Sequence, residues 1–186
     1  MKAKVNKVTI ETLLADLWLM PVATAVHATD TELSLTPTLA AKFGTQVIWE
    51  LEYIGYCPVG EAVITSPGES QFEKIIHAVG PRWGEGSERG KLAGVTYECL
   101  RLAEENNLKS LAMPAISTGA LGYPLENCAT TMLGTIIDYS FEDLKHLRRI
   151  TLCLQDAHAL EVFDREFARQ LAELRDEDAN SHQAAV

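Results

Sequence analysis

The sequence predicts a layered α/β fold, and two observations predict it. Short apolar runs recur at Ala62 to Thr65, Lys74 to Val79, Leu111 to Ile116 and Ile150 to Leu154, with the look of strands buried on both faces. Longer helical patterns lie between and after them, at Gly90 to Asn106, Leu125 to Tyr139 and His158 to Leu174. Strands that alternate with helices in this way pair mostly in parallel and are joined by crossover helices.

From the start of the chain, Val5 to Leu14 is β-leaning, because Val8 and Ile10 alternate with polar residues, and Val22 to Ala28 is a short β-branched run. Thr38 to Glu52 reads as helical. In the helix over 90–106, Val95, Cys99, Leu100 and Leu102 fall near one face, which is the face that would meet the sheet. Residues 1–176 are expected to form one domain and residues 177–186, small, polar and acidic, a disordered tail. In such folds ligands bind outside the carboxyl ends of the strands, so functional residues are expected just after Leu14, Ala28, Val79, Ile116 and Leu154.

Composition narrows the chemistry. The 186 residues are 47% hydrophobic and 23% charged, ordinary for a chain that buries about two-thirds of its unfolded surface without a metal or disulfide. No apolar run reaches the roughly 18 residues of a membrane span, and Met1 to Val8 lacks the apolar core of a signal peptide. Cys57, Cys99, Cys128 and Cys153 are widely spaced with no C-x-x-C pair, which reads as reduced thiols in a cytoplasmic protein rather than a zinc site. No metal and no cofactor is expected. The net charge of −10 argues against DNA, whose backbone calls for clustered Lys and Arg. It still allows a phosphate ligand, because backbone N–H groups at a helix N-terminus hold anions without formal charge.

The most informative stretch is Pro114-Ala115-Ile116-Ser117-Thr118-Gly119-Ala120-Leu121-Gly122-Tyr123-Pro124, which follows a buried strand and opens a helix. Gly119 and Gly122 let a ligand approach the backbone, and Pro124 suits the first helical position. Several N–H groups would then face one concavity, with the positive end of a helix dipole behind them. From spacing alone, the stretch reads equally as a phosphate cradle and as an ordinary turn before a helix. Other nucleotide motifs fail. Gly84 to Lys91 has the wrong spacing for a P-loop, and Leu92 stands where the magnesium-binding hydroxyl would be. Ser117 lacks the G-x-S-x-G elbow of a hydrolase, and the histidines make no metal-ligand spacing.

Pro114 to Leu125 resembles the diphosphate loop of the macro domain family, written P-A-[IL]-S-[TS]-G-x-x-G-[YF]-P. Lys74 to Pro81 resembles its I-H-x-V-G-P strand, and Gly60 to Thr65 its G-x-A-x-x-T strand. The resemblance is strong from Gly60 to Phe163 and weak before it. It implies a three-layer α/β/α macro-domain fold with a mixed, mostly parallel central sheet. It also implies ADP-ribose or an ADP-ribosylated protein as partner, held by Ser117, Thr118, Gly119, Ala120, Leu121, Gly122 and Tyr123.

Ala15-Asp16-Leu17-Trp18 takes the place of the family's G-D-I-T. By that resemblance Asp16 accepts a hydrogen bond from the adenine amine and the Leu17 N–H meets the ring. A carboxylate that only accepts suits an amine that donates. The other reading of Asp16 is a solvated acid at a strand end. Val26-His27-Ala28-Thr29-Asp30 stands where the family has V-N-A-A-N, so His27 and Asp30 take the places of distal-ribose asparagines. Asp30 could accept from ribose hydroxyls or act as a general base. His27 reads first as an internally hydrogen-bonded strand residue and second as a cleft residue. After Asp30 the family's glycine-rich stretch is absent, and Thr31 to Phe43 contains no glycine.

Three functions follow from this resemblance. The first is a module that binds ADP-ribose. The second is a hydrolase acting on the distal ribose, such as an ADP-ribosyl-protein hydrolase, an O-acetyl-ADP-ribose deacetylase or an ADP-ribose-phosphate phosphatase. The third is a degenerate fold that binds another nucleotide or a protein. A fold alone does not separate them.

Overall fold

A computed structural model describes residues 1–183. Seven strands form one sheet: β1 Lys2–Val5, β2 Val8–Leu14, β3 Thr24–Thr29, β4 Ala62–Thr65, β5 Lys74–Val79, β6 Ser110–Pro114 and β7 Arg149–Leu154, in the order β1-β2-β7-β6-β3-β5-β4. The five inner strands run parallel, and β1 and β4 close the two edges antiparallel. The helices are α1 Pro37–Phe43, α2 Thr45–Ile54, α3 Glu88–Glu105, α4 Leu125–Tyr139 and α5 Ala157–Gln183.

Alternation along the strands divides the interior into two apolar layers. Val26, Ile76, Met113 and Leu152 face α3, α4 and α5, where Val95, Met132 and Phe163 complete the larger cluster. Ala25, Ile75, Ala112 and Cys153 face the other way, against Phe43, Val47 and Leu51 of α1 and α2. The arrangement is three-layered, α/β/α, with a mixed and mostly parallel sheet.

Several expectations shift in detail. The β-leaning segment is a hairpin whose turn begins at Asn6, in the left-handed region at φ 53 where a short amide side chain is tolerated. The helical stretch over 38–52 is two helices, broken at Gly44. There φ is 80, and a Cβ would meet the Glu69 side chain at 2.8 Å. Strand β6 ends at Pro114, so Ala115 and Ile116 already belong to the loop. Pro124 caps α4 with an extended ψ of 136 and does not open the helix from its first turn. Helix α5 continues through the segment from 177 expected to be a disordered tail, reaching Gln183, and is exposed from Arg175 to His182. Residues 184–186 lie outside the described residues. Once its first turns are packed, a helix adds one hydrogen bond per residue fixed, so extension costs little.

Candidate functional site

The carboxyl ends of the parallel strands surround a cavity of about 870 Å³. Its wall takes Asp30 after β3, Gly80 after β5, the loop from Ala115 to Leu121 after β6, and Gln155 and Asp156 after β7. A second pocket of about 460 Å³ holds Asp16, Leu17 and Trp18, just after β2. The two share Pro114, Cys153, Leu154 and Gln155, so one cleft crosses the sheet at the strand ends where the alternation placed it.

The β6–α4 loop is held in shape by its own backbone. Gly122 N–H donates to the Gly119 carbonyl at 3.0 Å, and Tyr123 N–H donates to the Ser117 carbonyl at 2.9 Å. The Thr118 hydroxyl donates to the Ala115 carbonyl at 2.8 Å. Among the described residues, the N–H groups of Ser117, Gly119, Ala120 and Leu121 have no protein acceptor. All four belong to residues on the cavity wall, and α4 begins just beyond them. Orphan donors with a helix N-terminus behind them favour an anion. The Ser117 side-chain oxygen is buried without a partner, and its backbone sits at φ 66. Gly80 makes that conformation fit, since a Cβ there would collide with Ser117 Oγ and Ile116 Cγ2.

Gly122 and Tyr123, expected among the ligand-binding residues, are not on the cavity wall. Their N–H groups close the loop, and the buried Tyr123 ring packs edge-on against Trp83, centroids 5.0 Å apart. Both N–H groups are thus already taken up inside the loop. Their sequence motif marks the turn and carries no information about which side of it faces the ligand.

Asp16 is exposed and caps the short 3₁₀ turn Leu17–Leu19, its Oδ1 accepting from Trp18 N–H at 2.9 Å. Leu17 N–H has no protein acceptor among the described residues. Asp30 is exposed at the cavity, and its Oδ1 accepts from the N–H groups of Glu32 and Ser34, both at 3.1 Å. Desolvation pushes the Asp30 carboxyl up, but these N–H donors outweigh it and hold the pKa below its ordinary value. The glycine-free loop after it is tied down in other ways. The Thr29 hydroxyl donates to Ser34 O, Leu33 is buried at φ 59, and Thr36 caps α1 by accepting from Leu39 N–H.

His27 is buried, as the first reading of it had it, and it also contributes to the cavity wall. Its Nδ1 lies 2.9 Å from His77 Nδ1. Burial pulls the His27 pKa down to about 4, against a smaller opposing pull from Asp30. Burial and the neighbouring His27 take His77 to about 3.

The sequence reading did not place Trp18, Arg82 or Glu85 in the cleft. Trp18 sits in the Asp16 pocket with its ring 5.3 Å from Phe43. Arg82 reaches the main cavity but pairs with Glu85, which also lines it, at 3.4 Å. The signal for all three lay in chain position, Trp18 just past the end of β2 and Arg82 and Glu85 past the end of β5. With Asp30, Glu85 and Asp156 on the wall, side chains bring more negative than positive charge. Affinity for a phosphate then has to come from backbone dipoles. No group of three or more His, Cys, Asp or Glu side chains among the described residues is arranged to hold a metal. No helix among them is long and apolar enough to cross a membrane. All four cysteines are free and buried.

The sequence profile of the macro domain family matches residues 26–132, more than half of the chain. The chain belongs to the macro domain family. The macro domain described here is 43% identical over 125 residues to an uncharacterized protein of Sulfurisphaera tokodaii, covering 65% of this chain and 67% of that one. It is 44% identical over 102 residues to a macro domain-containing protein of Caldanaerobacter subterraneus, covering 52% and 58%. It is 39% identical over 123 residues to a protein of Enterobacter cloacae named O-acetyl-ADP-ribose deacetylase, covering 64% and 67%. The matched stretch thus spans about three-fifths to two-thirds of the length of these relatives. Among solved structures, the Oceanobacillus iheyensis macrodomain with MES bound superposes at TM-score 0.86 with 24% identity, over 93% of this chain and 97% of that one. A mutant of the same macrodomain with ADPR superposes at 0.85 with 23% identity, over 92% and 98%. These likenesses establish the fold.

Proposed function

We propose that this macro domain binds ADP-ribose, or an ADP-ribosyl group carried by a partner protein, along the cleft at the carboxyl edge of its sheet. The observation that carries this reading is the set of unpartnered N–H groups at Ser117, Gly119, Ala120 and Leu121 on the cavity wall ahead of α4. The diphosphate lies in that cradle, the adenine beside Asp16 and Leu17, and the terminal ribose toward His27 and Asp30. The relative named O-acetyl-ADP-ribose deacetylase supports a ligand of this class. Calorimetric titration tests it, with affinity expected in the micromolar range, on the order of −7 to −8 kcal/mol. A Cβ on Gly119 would meet nothing within 4 Å, so Gly119→Glu keeps the fold and sets a carboxylate in the cradle. Binding is expected to vanish in that variant while the melting curve stays. Wild-type affinity in a folded Gly119→Glu protein would show the cradle to be misassigned.

A second reading is hydrolysis at the terminal ribose. It is favoured by the exposed Asp30 carboxylate, which stays ionised on the cavity wall. The protein is expected to act in the cytoplasm, where its free thiols stay reduced.

A further inference from the structure

His27 and His77 are register partners on β3 and β5, and both are buried. With their Nδ1 atoms 2.9 Å apart, one must donate and the other accept. On its far side, His77 Nε2 lies 2.9 Å from Thr65 Oγ1, and the Thr65 hydroxyl donates to the Ser66 carbonyl at 3.0 Å. A hydroxyl has one hydrogen. Once given to Ser66, it leaves Thr65 only lone pairs for His77, so His77 carries its proton on Nε2. His77 Nδ1 is then an acceptor, His27 Nδ1–H is the donor, and His27 Nε2 keeps a bare lone pair. Both rings are neutral near pH 7, because burial has lowered both pKa values far below it. Among the described residues His27 Nε2 has no protein partner, and unlike Ser117 Oγ it is not sealed from solvent. His27 is one of the residues of the cavity wall, and its ring lies close enough to Asp30 to feel the carboxylate's charge.

We propose that the Ser66–Thr65–His77 chain locks the tautomer of His27, so that His27 Nε2 and the Asp30 carboxylate present acceptors only and select a ligand whose end there carries hydroxyl groups, an uncharged sugar diol, over one that carries a phosphate. The ligand half of this inference rests on the cradle reading above. Each hydroxyl of a diol donates to one acceptor. A phosphate would bring further acceptors and negative charge against Asp30, and the Arg82 guanidinium on the same wall is already paired with Glu85. A site built to accept hydrogen bonds discriminates strongly because the wrong ligand leaves its polar groups unpaired. His77 and Thr65 touch no ligand in this scheme; they are positioning residues.

The test combines nitrogen-15 histidine NMR of the free protein with calorimetry at neutral pH using ADP, ADP-ribose and ADP-ribose 1''-phosphate. The spectra should show His27 protonated on Nδ1 alone and His77 on Nε2 alone. ADP-ribose should move the His27 Nε2 resonance, and ADP should not. ADP-ribose should bind at least about tenfold more tightly than its 1''-phosphate, and His27→Phe should cost ADP-ribose about tenfold while leaving ADP as it was, the worth of one hydrogen bond. Thr65→Val removes the hydroxyl and should give His27 a mixture of tautomers, which a merely structural role for Thr65 would not produce. A His27 proton on Nε2, or equal losses for ADP and ADP-ribose in a folded His27→Phe protein, would overturn the proposal. If neither ADP nor ADP-ribose binds the wild type, the cradle reading fails and the ligand half falls with it, whereas the lock is still decided by the free-protein spectra.

Discussion

Gly80 and Ser117 occupy complementary space at the head of the cleft: a Cβ on Gly80 would overlap Ser117 Oγ, while Ser117 itself holds a left-handed φ of 66. The contact joins the end of β5 to the first residue of the cradle. Gly80→Ala is therefore expected to destabilise the protein by about 1–3 kcal/mol, the usual cost of overpacking a closed site. For a chain of this size that lowers Tm by about 2–4 °C per kcal/mol. ADP-ribose affinity should fall as well, because Ser117 has to move. Ser117→Gly removes both the hydroxyl and the left-handed strain, so the double variant should recover part of the loss. Additive effects in thermal melts of the four proteins would break the link between the two residues.

Asp16 is expected to set base preference. Its Oδ1 already caps the turn at Trp18, so the carboxylate is oriented before any ligand arrives. Asp16→Ala should weaken ADP-ribose by about 1.5–3 kcal/mol, the worth of a hydrogen bond to a charged group. The inosine analogue, with a carbonyl in place of the amine, should bind the wild type poorly. Equal affinity for the two bases would remove Asp16 from the site.

Glu104 offers a pH-dependent test of stability far from the cleft. Its carboxylate accepts from the N–H groups of Lys145, His146 and Leu147 and so fastens the approach to β7. Desolvation pushes its pKa up, but these donors outweigh it and leave the value lowered. A lowered folded pKa means the stabilisation is whole above the ordinary value of about 4.3 and is lost as pH falls through the folded value. Glu104→Gln should cost about 1–2 kcal/mol at pH 7, allowing for partial exposure. The gap between wild type and variant should close in acid. A gap that stays constant from neutral pH to about pH 3 would show that packing, not charge, is responsible.

Much of this molecule is legible in its sequence because burial on two faces leaves a strong mark. The runs Ala62–Thr65 and Lys74–Val79 and the helix Leu125–Tyr139 are bounded where their apolar patterns begin and end. What escaped depends on residues that meet only in the folded chain. The break at Gly44 reflects the approach of Glu69, 25 positions away by residue number, and no local pattern announces it. The pairing of His27 with His77 follows from the parallel register of β3 and β5. His27 alone reads as a satisfied strand residue and His77 as part of a strand motif, and only the register brings their rings within hydrogen-bond distance. The cradle was legible as a stretch, from Ser117 to Tyr123. Which residues of it face outward was not, because the two hydrogen bonds that turn Gly122 and Tyr123 to the rear are tertiary detail of the loop.

Any hydrolysis of ADP-ribosylated protein should be slow and should depend on Asp30. Catalysis at a ribose carbon needs the attacking water held about 3–3.5 Å from it, and a poorly held water costs about 100-fold or more even where binding survives. Here the loop from Thr31 to Thr36 is fastened by its own hydrogen bonds, by a buried Leu33 and by the Thr36 cap of α1, which limits how closely its backbone can fold over a ligand. Asp30 is the exposed, ionised group on this part of the wall, whereas His27 is buried where a positive charge is disfavoured, so the proton from water goes to Asp30. Asp30→Asn keeps an oxygen for the Glu32 and Ser34 N–H groups, so the loop should hold its shape, and losing one acceptor should weaken ADP-ribose by no more than about tenfold. Turnover should nevertheless collapse in that variant. Because the Asp30 pKa is lowered, the active ionised form is already complete above the ordinary carboxylate range. The wild-type rate should be flat between about pH 5 and 8 and fall only in stronger acid. Single-turnover rates across that range, for wild type and Asp30→Asn, decide the matter. Brisk turnover that survives Asp30→Asn, or a rate that climbs between pH 6 and 8, would assign the proton transfer to another group and overturn the role given to Asp30.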